Sequence, residues 1–201
     1  RKAVSTPEID RILLLAGSAN ISLSATKYYG RSHVYVTASS VTFVYCVEEN
    51  AWYEVSSTQP LWYKMAGVSV GSTQVTYAIS KISTSGKVFT INPAATVFQD
   101  NGMSYTARIQ TSKLGEGNKR TFWEEIELIG DIQTSASPMT ISYSDDDYDT
   151  YVVLGNVDLS DARPRITRCG SAYRRAWVFT HSANTPFRQE AMVGRKSVGT
   201  G

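Results

Sequence analysis

Cysteine is scarce in this chain: two in 201 residues, where a disulfide-stapled scaffold spends about a tenth of its length on them. Cys46 and Cys169 lie far apart, and neither has a CxxC partner or a histidine beside it, which argues against a zinc site. Two buried free thiols are the expectation, with one long-range disulfide as the alternative. Long apolar runs are also missing. Nothing reaches the ~18 residues that a membrane-spanning helix needs; Ile12–Leu15 is too short, and no signal-peptide arrangement surrounds it. Charge of one sign is lacking too. Twenty Lys and Arg against eighteen Asp and Glu leave a net +2, which gives no electrostatic case for wrapping nucleic acid or adhering to an anionic membrane. Phosphate-cradling glycine motifs are absent, and neither His33 nor His181 stands in a nucleophile motif. No catalytic residue, cofactor site or metal site emerges.

What is present is β-forming. Tyr, Thr, Ser and Val are abundant while helix formers are thin. The exception is the start, where Thr6 can cap a helix, Pro7 fits its first position and Gly17 can close it, so one short helix is expected near 6–16. Period-two runs follow at His33–Thr37, Val41–Val47 and Ala51–Val55, three antiparallel strands with tight connections. A second phrase, Val75–Ile79 and Lys87–Ile91, flanks the turn Ser83-Thr84-Ser85-Gly86, and Asn92-Pro93 ends it. Further strands are expected at Ser104–Thr111, Arg120–Ile129, Met139–Tyr143, Thr150–Leu154, Tyr173–Phe179 and Phe187–Met192. Within Arg120–Ile129, Phe122, Ile126 and Leu128 are expected on one face, with Trp123, Glu125 and Glu127 mainly on the other. The expected fold is mainly β: propeller-like antiparallel blades over 1–95, and a β-sandwich-like part over 96–201, with a soft boundary near Asn92–Asp100.

Four aspartates within five residues, Asp145, Asp146, Asp147 and Asp149, invite a calcium reading. An EF-hand loop needs glycine at its sixth position and glutamate at its twelfth; counted from Asp145, these are Thr150 and Asn156. The better match is an Asp-box-like hairpin carried by Ser144, Asp146, Thr150 and Tyr151. There the Ser and Asp side chains satisfy turn amides and the aromatic ring buries beside the strand. Tyr148 occupies the place where such turns have glycine.

The C-terminal part is basic. Arg163, Arg165, Arg168, Arg174, Arg175 and Arg188 either neutralise phosphates in a DNA channel or, the favoured reading, pair with acids such as Asp145–Asp149 and Asp158–Asp161 within the fold or between subunits. Arg174 and Arg175 are adjacent, so on a strand they point to opposite faces. Glu124, Glu125 and Glu127 beside Trp123 raise a carbohydrate reading, a sialidase-like propeller module with Trp52, Trp62 or Trp123 as a stacking platform. A solvated strand face is the simpler account.

Taken in order, a set of phrases resembles one family. These are Gly30-Arg31-Ser32-His33-Val34-Tyr35 with Phe43-Val44-Tyr45 and Trp52-Tyr53-Glu54; Ser85–Pro93 with Phe98-Gln99-Asp100-Asn101-Gly102; Lys119-Arg120-Thr121-Phe122 with Ile126–Asp131; and Arg168-Cys169-Gly170-Ser171, Arg174–Phe179 and Thr180–Pro186. The chain is similar along most of its length to the C-terminal portion of the packaged-DNA stabilization protein, the tail hub or nozzle, of short-tailed bacteriophages. That resemblance implies a longer polypeptide and a non-enzymatic homo-oligomeric ring, hexameric, in the virion tail. Such a ring is assembled in the host cytoplasm beside adaptor, tail needle and tailspike or fibre proteins. It also implies sequence-independent contact with the genome, retention of packaged DNA and a part in the ejection channel.

Overall fold

The computed structural model describes residues 7–28, 30–57, 63–70, 73–79, 86–91, 98–115 and 118–199. The chain is mainly β with one short α-helix and several antiparallel sheets, as composition implies. It divides into two compact units, Arg1–Ala95 and Thr96–Gly201.

The first unit opens with α1 (Pro7–Ala16). Pro7 takes the first helical position, where its missing N–H costs nothing. Gly17, at φ 71°, turns the chain out of the helix, and the Asn20 side-chain amide donates to the Ala16 carbonyl at 2.9 Å. The expected cap Thr6 lies outside the described residues. Four strands follow as an antiparallel meander, β1 (Ile21–Tyr28), β2 (Arg31–Ala38), β3 (Val41–Cys46) and β4 (Ala51–Val55). A second meander holds β5 (Lys64–Val70), β6 (Thr73–Ile79) and β7 (Val88–Ile91). A parallel pairing of β1 with β5, Ala25 opposite Ala66, joins the two blade-like phrases into one seven-stranded sheet of order β4-β3-β2-β1-β5-β6-β7. Strands β1 and β5, which supply that seam, are the two of this unit that the sequence pattern did not reveal. The turn residues Ser83, Thr84 and Ser85, the terminator Asn92-Pro93 and Trp62 lie outside the described residues.

One face of this sheet buries Tyr35, Val44, Tyr63, Met65 and Ala78. Four threonines, Thr26, Thr37, Thr42 and Thr76, are buried as well. Their hydroxyls satisfy one another in pairs, Thr37 with Thr42 at 2.9 Å and Thr26 with Thr76 at 3.4 Å, as burial of polar groups requires.

The second unit is a two-sheet sandwich. One sheet runs β11 (Val152–Asp158), β10 (Pro138–Ser144), β14 (Ala176–His181) and β8 (Ala107–Gln110). The other is built on β9 (Thr121–Gly130), flanked by β15 (Gln189–Val198) and, on its other edge, by the short β12 (Arg165–Thr167) and β13 (Ser171–Ala172). The core between them joins Trp123, Ile126 and Leu128 of β9 to Met139, Ile141, Val157, Trp177 and Phe179 of the facing sheet. Trp123 meets Trp177 edge to face, 5.5 Å between ring centroids, a favoured aromatic geometry.

The expected facing of β9 is half wrong, for a local reason. Against β15, Glu125 pairs with Arg195 and Trp123 with Lys196, so Glu124 is an extra residue on β9. Such a bulge reverses the alternation. Ile126 and Leu128 point inward as expected, but before the bulge it is Thr121 and Trp123 that are buried, while Phe122 is 45% exposed.

Candidate functional site

The Ser144–Tyr151 hairpin joins β10 to β11, and its side chains tie it as expected. The buried Ser144 hydroxyl donates to Asp146 Oδ1 at 2.9 Å and accepts the Tyr148 N–H at 3.0 Å. The Asp146 carboxylate accepts the Thr150 N–H at 3.0 and 3.1 Å and also the Thr150 hydroxyl. These donors stabilise the anion and hold the Asp146 carboxyl down at about 2, the Thr150 hydroxyl contributing most. Asp147 and Tyr148 both have positive φ, 63° and 72°, and the Asp149 N–H closes the turn on the Asp146 carbonyl at 3.3 Å. That is the backbone of a tight hairpin turn. Tyr148 therefore takes up glycine's conformation. Its ring lies 5.3 Å from the Lys113 ammonium, and Lys113 also pairs with Asp147.

Tyr151 departs from expectation. Its ring does not bury beside the strand; the residue is 42% exposed. Its hydroxyl donates to Gln110 Oε1 at 3.2 Å, and Arg108 lies over its ring at 4.9 Å. Gln110 is the register partner of Val178 on β14 and shares its face, opposite to that of Trp177. From β11 the side chain therefore reaches over β10 and β14 toward β8 on the outer face of the sheet. The residues it crosses are small: Ser144 and Ala176 are register partners there, and both are buried.

The six arginines do not form one basic face. Arg175 is 2% exposed, so it cannot line a channel, and it pairs with Asp145 as the favoured sequence reading expects. Its guanidinium makes a two-pronged contact with Asp145, Nε to Oδ1 and Nη2 to Oδ2 both at 2.7 Å. Its remaining Nη1 donates to the Cys169 carbonyl, and the plane lies 3.8 Å from the Tyr143 ring centre. A buried guanidinium is tolerable because a carboxylate, a carbonyl and an aromatic face take up its donors and charge. Arg163 is bidentate with Glu127, at 2.9 and 2.5 Å, and holds that carboxyl below its ordinary value. Arg165 reaches Glu125 at 3.3 Å, and Arg188 pairs with Glu190 and, at 3.9 Å, with Asp131. Arg168 and Arg174 are exposed and make no ion pair among the described residues.

Arg168 begins a bulge between β12 and β13. Thr167 pairs with Glu125 and Ser171 with Phe122, so one more residue is spent on this side than on β9. Arg168 and Gly170 take positive φ, 59° and 77°. The bulge turns Cys169 inward, where it is 1% exposed and burial pushes its thiol up, and presents its carbonyl to Arg175. Both cysteines are buried free thiols.

Sequence reasoning missed two features. Ser137 and His181, 44 residues apart, meet at 2.9 Å, a serine–histidine pair. Ser137 is fully buried and His181 is 3% exposed, so no substrate carbonyl can approach the hydroxyl. The other is Gly67-Val68-Ser69-Val70-Gly71, which spells GxSxG. Its first four residues are paired along β6 inside β5, not on the strand-to-helix elbow that gives the motif its chemistry. Trp123 and Trp177 are buried core residues, and neither offers a face to a sugar. Among the described residues no group of three or more His, Cys, Asp and Glu side chains is placed to hold a metal ion, and no helix is long and apolar enough to cross a membrane. No protein-family model matches the chain, and no curated protein matches it either.

Proposed function

We propose that this chain is a structural module of a short-tailed phage tail hub, a ring component that retains packaged DNA and later lines part of the ejection conduit. The observation that carries the reading is the collinear series of phrases from Gly30 to Pro186. The side-chain economy of the second unit supports it: the exposed Arg163, Arg165 and Arg188 are matched by carboxylates of the same chain. Such a surface suits subunit packing, with DNA contact left to unmatched cations such as Arg168. Adaptor, needle and tailspike proteins are the partners this reading names, and the virion tail is its location.

The test is assembly. The full-length protein examined by light scattering and electron microscopy should form closed rings, hexameric, and co-purify with tail particles. A strictly monomeric protein that never associates with tails sinks the reading. Binding to a glycan array that depends on Trp52, the part-exposed tryptophan of β4, would favour a carbohydrate-binding module instead.

A further inference from the structure

The Ser137–His181 pair does no chemistry, but it fastens a segment. We propose that His181 is an acid-released latch on the segment Ser182–Arg188. Three contacts make the latch. His181 Nε2 lies 2.9 Å from the Ser137 hydroxyl and 3.3 Å from that of Thr185, and the two hydroxyls are 2.7 Å apart. The imidazole also packs against Phe187, 4.5 Å between ring centres. Ser137 stands at the start of β10, with its N–H held by Asp158 at 2.9 Å. Thr185 and Phe187 belong to the segment that leads from β14 into β15.

The segment makes two further contacts of its own. Asn184 Oδ1 accepts the Phe98 N–H at 2.6 Å, which fixes the first described residue of the second unit. Phe187 lines, with Leu128, Met139 and Leu159, a mainly apolar groove of about 300 Å³ that Asp131, Asp161 and Arg188 also border. Met139 is also the register partner of His181. The latch thus stands directly behind one wall of the groove.

A neutral imidazole with Nε2 bare suits this place, since it accepts the proton of one hydroxyl while the other hydroxyl donates to its neighbour's oxygen. An imidazolium can still donate to a hydroxyl oxygen, but here its charge is buried without a carboxylate to balance it. On β10, residues 137–140 carry no charge. On β8 the register partner is Ala107, and the neighbouring Arg108 is turned to Tyr151 on the outer face. On the segment itself, Arg188 is held by Glu190 and Asp131. Asp158 is the charged group behind Ser137, and its carboxylate already accepts the Ser137 and Ser160 amides and the Ser160 hydroxyl. Burial accordingly pushes the His181 imidazole below its ordinary value.

The sign follows. The latched form disfavours the proton, so the segment is secure above about pH 6.5 and opens progressively more below it, by up to about tenfold per pH unit until the latched form itself titrates. Hydrogen exchange on the intact protein, corrected for intrinsic rates, should show amides of 182–188 losing protection as pH falls from about 7.5 to 5, while β9 keeps its own. An NMR titration of the two histidine rings should place His181 below the free-imidazole value. His181→Asn, which keeps a neutral side chain and removes the titration, should leave protection of 182–188 independent of pH. Protection that does not change with pH in the unaltered protein, or a His181 ring that titrates at or above the free value, overturns the proposal. The titration decides the matter alone if the variant does not fold. The outcome is independent of whether the protein forms tail rings.

Discussion

The two units solve the same problem, a β-sheet with one face to bury, with different materials. The second closes two sheets on a core that includes two tryptophans, a phenylalanine and a fully buried isoleucine pair, with seven more partly buried apolar residues packed around it. Among the described residues the first has a smaller apolar cluster, and it buries four paired threonines besides. Burial of large apolar side chains stabilises in proportion to area, whereas a satisfied hydroxyl pair contributes little beyond avoiding a penalty. The second unit should therefore respond steeply to core truncation and the first more gently.

Methionine provides a matched probe, because Met139 is 1% exposed in the second core and Met65 is 5% exposed in the first. Met139→Ala should cost about 4 kcal/mol and Met65→Ala about 2, both within the range of about 2–5 that such truncations span. Urea unfolding gives the totals, and hydrogen exchange assigns each loss to its strands. Equal costs would break the comparison.

Next in size is the buried arginine. Arg175→Ala should destabilise by about 3 kcal/mol, at the low end for removing one partner of a buried pair, because Asp145 is partly exposed and can rehydrate. Arg175→Lys should recover only part of this, since an ammonium cannot serve Asp145 in two prongs, the Cys169 carbonyl and the Tyr143 face together. Full recovery by lysine would show that charge alone matters there.

How much of this was legible beforehand depends on the range of the interaction. The hairpin at Ser144–Thr150 was readable because its donors and acceptors lie within four residues of each other. Strands β2, β3 and β4 were readable because each is a run rich in β-branched and aromatic residues that pairs without a register shift. Trp123 was misplaced because a single extra residue at Glu124 is set by pairing with β15, more than sixty residues away, and leaves no local trace. Arg175 looked like its neighbours in a basic stretch; only the bulge at Arg168–Gly170, which aims the Cys169 carbonyl inward, singles it out. Tyr151 illustrates the same limit from the other side. Its place in the motif was plain, but its destination on β8 depended on the strand order.

A smaller effect concerns the hairpin and pH. The Asp146 carboxyl sits at about 2 in the folded protein against an ordinary 3.8. The unfolded chain therefore binds the proton more readily, and the stability this group contributes is present above about pH 4 and lost as pH falls toward 2. Asp147 and Asp158 are shifted in the same direction, by Lys113 and by the Ser137 and Ser160 donors respectively. The informative quantity is thus a difference between proteins. Between about pH 5 and 2 the urea midpoint of the unaltered protein should fall further than that of Asp146→Asn, which has no proton to gain. Parallel curves would mean that the hairpin carboxylate is as well solvated unfolded as folded.

The smallest expected effect is the sharpest on the nature of the first unit. Thr26 and Thr76 are both buried, with hydroxyls 3.4 Å apart, and each also lies 3.5 Å from the Lys27 carbonyl. Thr26→Val alone removes one partner and leaves the Thr76 hydroxyl with only its long contact to that carbonyl, so it should cost about 1 kcal/mol. Thr26→Val combined with Thr76→Val removes both hydroxyls and keeps the shape, and should return stability to within about 0.5 kcal/mol of the starting value. That non-additivity, read from a double-mutant cycle in urea, distinguishes a pair that merely satisfies itself from one that holds the sheet together. If the double variant is the least stable of the three, the threonines stabilise the first unit as the tryptophans do the second, and the contrast between the units disappears.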